Sequence, residues 1–71
     1  MKLFSSFKLS RSTKSFEESF AWHIEQNKDS IRKRSGVEIP DDSFSLETQE
    51  DDQFKYGRVI YDDGKETANP T

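Results

Sequence analysis

The spacing of hydrophobic and polar residues changes along the chain, and each change marks an element. Met1, Leu3, Phe7 and Leu9 alternate with Lys2, Ser6, Lys8 and Ser10, the period of two expected of a strand with one buried face. Phe4 breaks the polar side of that alternation. A short membrane-surface helix built on Phe4, Phe7 and the lysines, or a disordered basic arm, therefore competes with the strand over residues 1–10.

From Phe16 onward the period lengthens to that of a helix. At 100° per residue, with Phe16 at zero, Phe20 falls at about 40°, Ile31 at about 60° and Ile24 at about 80°, a narrow apolar stripe with His23 and Asn27 beside it. Ser15 followed by Glu18 fits a capping box, in which hydroxyl and carboxylate each satisfy an orphan backbone N–H. Arg32, Lys33 and Arg34 cluster where cations meet the negative end of the macrodipole, and Gly36 can take the left-handed conformation that stops a helix. The predicted helix spans about residues 15–35. Trp22, the single tryptophan, lands at about 240°, nearly opposite the stripe, among Glu18, Glu25, Gln26, Asp29 and Lys33.

Beyond the helix, Val37 and Ile39 lead to a turn at Pro40, Asp41 and Asp42. Phe44, Leu46 and Thr48 then alternate with Ser43, Ser45, Glu47 and Gln49, which predicts a strand with one buried face. A polar connection, Glu50 to Gln53, precedes FKYGRVIY, the run richest in β-branched and aromatic residues. These two runs are expected to pair as an antiparallel hairpin. Phe54, Tyr56 and Ile60 on one face and Val59 and Tyr61 on the other mark the last strand as covered on both sides or central in its sheet.

These elements predict an α+β fold: one amphipathic helix packed on a small two- or three-stranded antiparallel or mixed sheet, in the order β-α-β-β or α-β-β. Residues 1–64 are read as a single small domain and residues 65–71 as a flexible C-terminal tail. The core must be small. Leu, Ile, Val and Phe number fifteen of 71 residues, close to the composition at which disorder sets in, but a net charge of only −3 and an aromatic fraction of 13% favour folding.

Charge is unevenly distributed. Residues 1–37 carry eight Lys or Arg against four acids, and residues 38–71 carry three against ten. Whether that polarity survives in space depends on how the halves interleave. With no cysteine, a disulfide framework and thiolate metal sites are excluded. No apolar run approaches the length of a transmembrane segment, and a cytoplasmic location is expected. The serine-rich opening, with Lys2, Lys8, Arg11, Lys14 and no acid over its first fifteen residues, shares its composition with organelle transit peptides, although the alternation reads better as a strand.

Candidate chemistry is sparse. His23 is the single histidine and has no nucleophile in an obvious site, so a packed boundary residue is the better reading than a general base. The acid pairs Asp41–Asp42, Asp51–Asp52 and Asp62–Asp63 lack the alternating oxygen ligands and closing glutamate of a calcium loop, and read as turn formers. No catalytic residues, no metal ligands and no cofactor are predicted. Lys28, Arg32, Lys33 and Arg34, with the basic amino terminus, could neutralise phosphates, but Glu25 and Asp29 share that helix surface. The acidic half could also imitate a phosphate array and occupy a basic groove, as small viral or plasmid-borne inhibitors do.

The leading expectation is a small, non-enzymatic protein-binding module, acting as a regulator, inhibitor or assembly component of a larger protein or complex. Trp22 with Glu18, Glu25, Gln26, Asp29 and Lys33 would carry recognition, with the acidic hairpin as a second surface, and the partner would be a larger protein or another copy of the chain. Nucleic-acid binding through Lys28, Arg32, Lys33 and Arg34 is the alternative.

Overall fold

A computed structural model describes residues 2–62. In chain order it contains β1 (Lys2–Ser10), α1 (Phe16–Ser35), a single 3-10 turn (Asp41–Ser43), β2 (Phe44–Glu50) and β3 (Phe54–Asp62). The order is β-α-β-β, and the amino-terminal segment is a strand rather than a membrane-surface helix or an arm. The tail expected at 65–71 and the Asp62–Asp63 turn lie wholly or partly outside the described residues.

The three strands form one antiparallel sheet in the spatial order β1-β3-β2. The last strand is central, as its composition indicates, with Leu3, Ser5, Phe7 and Leu9 of β1 opposite Tyr61, Val59, Gly57 and Lys55. On its other side Phe44, Leu46, Thr48 and Glu50 stand opposite the same four β3 residues. Because side chains alternate, these rows share one face, on which the helix lies. Ile31 and Val59 are fully buried, Ile39 and Phe20 nearly so, and Leu3, Ile24, Phe44 and Tyr61 pack at the margin. Burying each such side chain is worth about 1.5–3 kcal/mol. With so few of them, each carries a large share of the fold's stability.

Two sequence expectations fail for identifiable reasons. Ser15 does not form a capping box: it sits in the left-handed region at φ 52°, ψ 50°, and its side chain makes no cap hydrogen bond. A left-handed residue turns its hydroxyl away from the N–H groups that a cap in extended conformation would reach. The helix starts at Phe16, one residue later than expected, while Gly36 ends it as predicted, left-handed at φ 71° with its N–H donating to the Arg32 carbonyl. The second failure concerns β2, which lacks a buried face. Beyond Phe44 all of its residues are exposed, Leu46 among them at 45%. The helix rests on β1 and β3 and leaves the β2 side of the sheet open. Nor is β3 covered on both sides: among the described residues, no element lies on the face opposite the helix.

Polar contacts tie the layers together. Ser5 donates from Oγ to Asn27 Oδ1 across the helix–sheet boundary. Asn27 donates to the His23 carbonyl at 2.6 Å. Arg34 Nη2 reaches over the outer side of β1 and donates to the Phe4 carbonyl at 2.6 Å. Asp51 organises the hairpin turn: Oδ1 accepts from the backbone N–H of Gln53 at 2.8 Å and of Phe54 at 2.7 Å. Its carbonyl accepts from Arg11 Nη1 at 2.7 Å, which anchors the turn to the end of β1.

The charge polarity of the sequence is partly cancelled on folding, because Arg11 meets Glu50 and Lys28 and Arg32 meet Asp41, but it persists in the two edge strands. β1, with Lys2 and Lys8, forms one edge of the sheet, and β2, with Glu47 and Glu50, forms the other, with β3 between them.

Candidate functional site

The residues that the periodicity assigned to the wet side of α1 are all there. Glu18, Trp22, Glu25, Gln26, Asp29 and Lys33 are exposed, and Trp22 has 59% of its surface open to solvent. The stripe of Phe20, Ile24 and Ile31 faces the sheet, so an indole about 180° around the helix has, among the described residues, no layer to pack on.

One edge of the indole does have support. His23 lies at 5.1 Å from Trp22, ring centre to centre, at 78°, and at 5.4 Å from Phe7 in a stacked arrangement. Phe7 in turn meets Phe20 at 5.0 Å. The imidazole is held by a hydrogen bond between Nδ1 and the Ser19 carbonyl at 2.8 Å. A carbonyl can only accept, so Nδ1 carries the proton. His23 is therefore a bridge between the surface indole and the core, and among the described residues it makes no contact with a nucleophile. Among the described residues there is no cluster of His, Asp and Glu able to hold a metal ion.

The basic end of the helix is brought together but largely occupied. Arg32 donates to Asp29 Oδ1 at 2.8 Å, to Asp41 Oδ1 at 2.6 Å and, from Nε, to the Ile39 carbonyl at 2.8 Å. Lys28 lies 3.2 Å from Glu25 Oε2 and 4.0 Å from Asp41 Oδ1. The hydrogen bond from Arg32, followed by the charge of Lys28, holds the Asp41 carboxyl below its ordinary pKa, while Asp41 and then Asp29 raise that of Arg32. Both cations also lie over the Phe44 ring, Arg32 at 5.1 Å and Lys28 at 5.8 Å from its centre. These contacts staple the segment after the helix and seat Ile39 beside Ile31 and Val59. Arg34 is engaged on β1, which leaves Lys33 on the Trp22 side. Of the four cations read as a phosphate surface, three have structural partners.

Two further exposed regions lie away from the outer face of the helix. The face of the sheet away from the helix carries Phe4, 44% exposed, and a shallow open depression lined by Ser6, Lys8, Glu47, Gln49, Tyr56 and Arg58. The other is β2 itself, with Leu46. Its alternation looks like that of a buried strand, and only the position of the helix distinguishes the two.

No helix among the described residues is long and apolar enough to cross a membrane. No family model, curated protein or solved structure matches the chain.

Proposed function

We propose that the chain is a non-enzymatic protein-binding module that docks through the outer face of α1. Trp22 is the anchor and Glu18, Glu25, Gln26, Asp29 and Lys33 form its polar rim. The observation that carries this reading is the 59% exposure of a lone tryptophan in the first half of a 20-residue helix. Interfaces are enriched in Trp because a large amphipathic ring buries much area at little entropic cost, and a charged rim sets orientation. The acidic β2–β3 hairpin offers a second surface on the same small body. Such a module acts as a regulator, inhibitor or assembly component of a larger protein in the cytoplasm.

The test is comparative capture of partners by the intact chain and by Trp22→Ala. The variant is expected to keep the circular dichroism of the parent and to lose the captured partner, since truncating an anchor of this kind typically costs about 2 kcal/mol or more of binding. Equal capture by both chains would remove Trp22 from the interface. Nucleic-acid binding is the weaker reading, because Lys28 and Arg32 are paired with acids and a phosphate backbone would have to displace them.

A further inference from the structure

We propose that β2 is a self-association edge, along which two copies of this chain pair antiparallel about a two-fold axis at Leu46 and merge their sheets. The backbone supplies the first argument. Asp51 N–H donates to the Phe54 carbonyl at 2.9 Å and Arg11 N–H to the Gln53 carbonyl at 2.8 Å. In an antiparallel ladder alternate residues point at the partner strand. With the observed register, Ser45, Glu47 and Gln49 direct their N–H and C=O groups to β3, and Phe44, Leu46, Thr48 and Glu50 direct theirs outward. The same alternation turns Phe4, Ser6 and Lys8 outward on β1.

The two edges are not equivalent. On β1, Arg34 covers the Phe4 carbonyl at 2.6 Å, and Lys2 and Lys8 flank it, a charged guard of the kind that blocks strand addition. On β2, the Phe44 N–H is taken by the Asp41 carbonyl. Leu46 and Thr48 present N–H and C=O to the outside, and among the described residues no segment lies along them. Next to this open edge is the part of the sheet that the helix leaves bare, with Leu46 45% exposed on it.

Of the axes at Leu46, Glu47 and Thr48, the one at Leu46 suits a second copy best. Placing Glu47 opposite its own copy would set like charges in a close pair. An axis at Thr48 would face Leu46 with Glu50 and leave it wet. The axis at Leu46 puts the two Leu46 side chains against each other on the helix side, Phe44 across from Thr48 of the second copy, and the Ser45 hydroxyl across from its Glu47 carboxylate. It also brings Glu50 of the second copy to the Phe44 end of β2, beside Lys28 and Arg32, whose charges are already shared with Glu25, Asp29 and Asp41 of their own chain. Repulsion between two acidic edges is reduced beforehand, because Glu47 is 3.4 Å from Arg58 and Glu50 is 3.7 Å from Arg11 of the same chain.

The experiment is the solution mass of the full chain over a range of concentrations, with amide hydrogen exchange on the same samples. The expected result is a dimer whose Leu46 and Thr48 amides exchange more slowly in proportion to the dimer fraction. Leu46→Pro and Thr48→Pro each remove an N–H with no acceptor inside the chain, so both are expected to be folded monomers. Should either fail to fold, exchange at the two amides of the parent decides. In a mixed-isotope sample, the Hα of Ser45 is expected to contact the Hα of Glu47 across the interface. A monomer at every concentration overturns the proposal, as does solvent-rate exchange at Leu46 and Thr48, or a dimer that survives both prolines. So does protection of these amides only when a foreign polypeptide is added. Loss of the dimer in Trp22→Ala with β2 amides unprotected would assign association to the helix face instead. An interchain contact between the two Glu47 Hα atoms refutes the register.

Discussion

The ring of Phe7 lies across Gly57 on the neighbouring strand, close enough that a β-carbon at Gly57 would stand 2.5 Å from Cζ of Phe7. The glycine is there because the aromatic ring occupies the space a side chain would need. Phe7 cannot swing away freely, since it also packs on Phe20 and His23. Gly57→Ala is therefore expected to destabilise the fold by about 1–3 kcal/mol, as overpacking does, despite the better strand propensity of alanine. Urea denaturation checks this, and an alanine variant as stable as the parent would show that the ring is free to move.

Ser15 gives a prediction of opposite sign to the one its sequence context suggests. An N-cap serine would cost about 1 kcal/mol on replacement by alanine. A left-handed serine without a cap hydrogen bond has nothing of that kind to lose. Ser15→Gly is expected to stabilise the chain by up to about 1 kcal/mol by removing the Cβ clash of that conformation, and Ser15→Ala is expected to change little. Thermal midpoints of the two variants decide between the readings.

Two carboxylates should make the stability of this protein fall in acid. Asp41 is held below its ordinary pKa by the hydrogen bond from Arg32, and Asp51 by the backbone N–H groups of Phe54 and Gln53 and then by the Tyr56 hydroxyl. A folded-state pKa below the unfolded one means that the stabilisation is present above the unfolded value, about pH 4, and is lost as pH falls through the folded value. The double variant Asp41→Asn, Asp51→Asn is expected to be less stable at neutral pH and to lose less stability on acidification. Parallel stability curves for parent and variant would contradict this.

Trp22 can be checked by its own fluorescence. With 59% of its surface open, the single indole should emit near the position of tryptophan in water and be quenched by acrylamide almost as readily. Trp22→Ala should change folding stability by no more than about 0.5 kcal/mol. A blue-shifted, protected indole would mean that the ring is covered in solution.

Much of this fold was legible because its signals are local. The alternation of Leu3, Phe7 and Leu9, the stripe of Phe20, Ile24 and Ile31, and Gly36 each report the conformation of their own segment, and the position of Trp22 opposite that stripe follows from helical geometry alone. What stayed hidden is long-range. Phe44, Leu46 and Thr48 have the pattern of a half-buried strand, and nothing nearby in the chain says that the helix rests on β1 and β3 instead. Asp29 beside Arg32 is visible in the sequence, but Asp41 and the Phe4 carbonyl lie nine and thirty residues from Arg32 and Arg34, so neither of these partners shows until the chain folds. Ser15 failed differently: a capping pattern specifies which atoms could bond, while the backbone angle decides whether they can meet.

The spatial order β1-β3-β2 has a consequence for how the protein is made. The strand that both of the others require is the third to be synthesised, so until Phe54–Asp62 leaves the ribosome neither Lys2–Ser10 nor Phe44–Glu50 has a neighbour to bond to. The nascent polypeptide can at most curl its helix while it waits, and the sheet closes late, around a middle strand that must reach β1 across most of the chain.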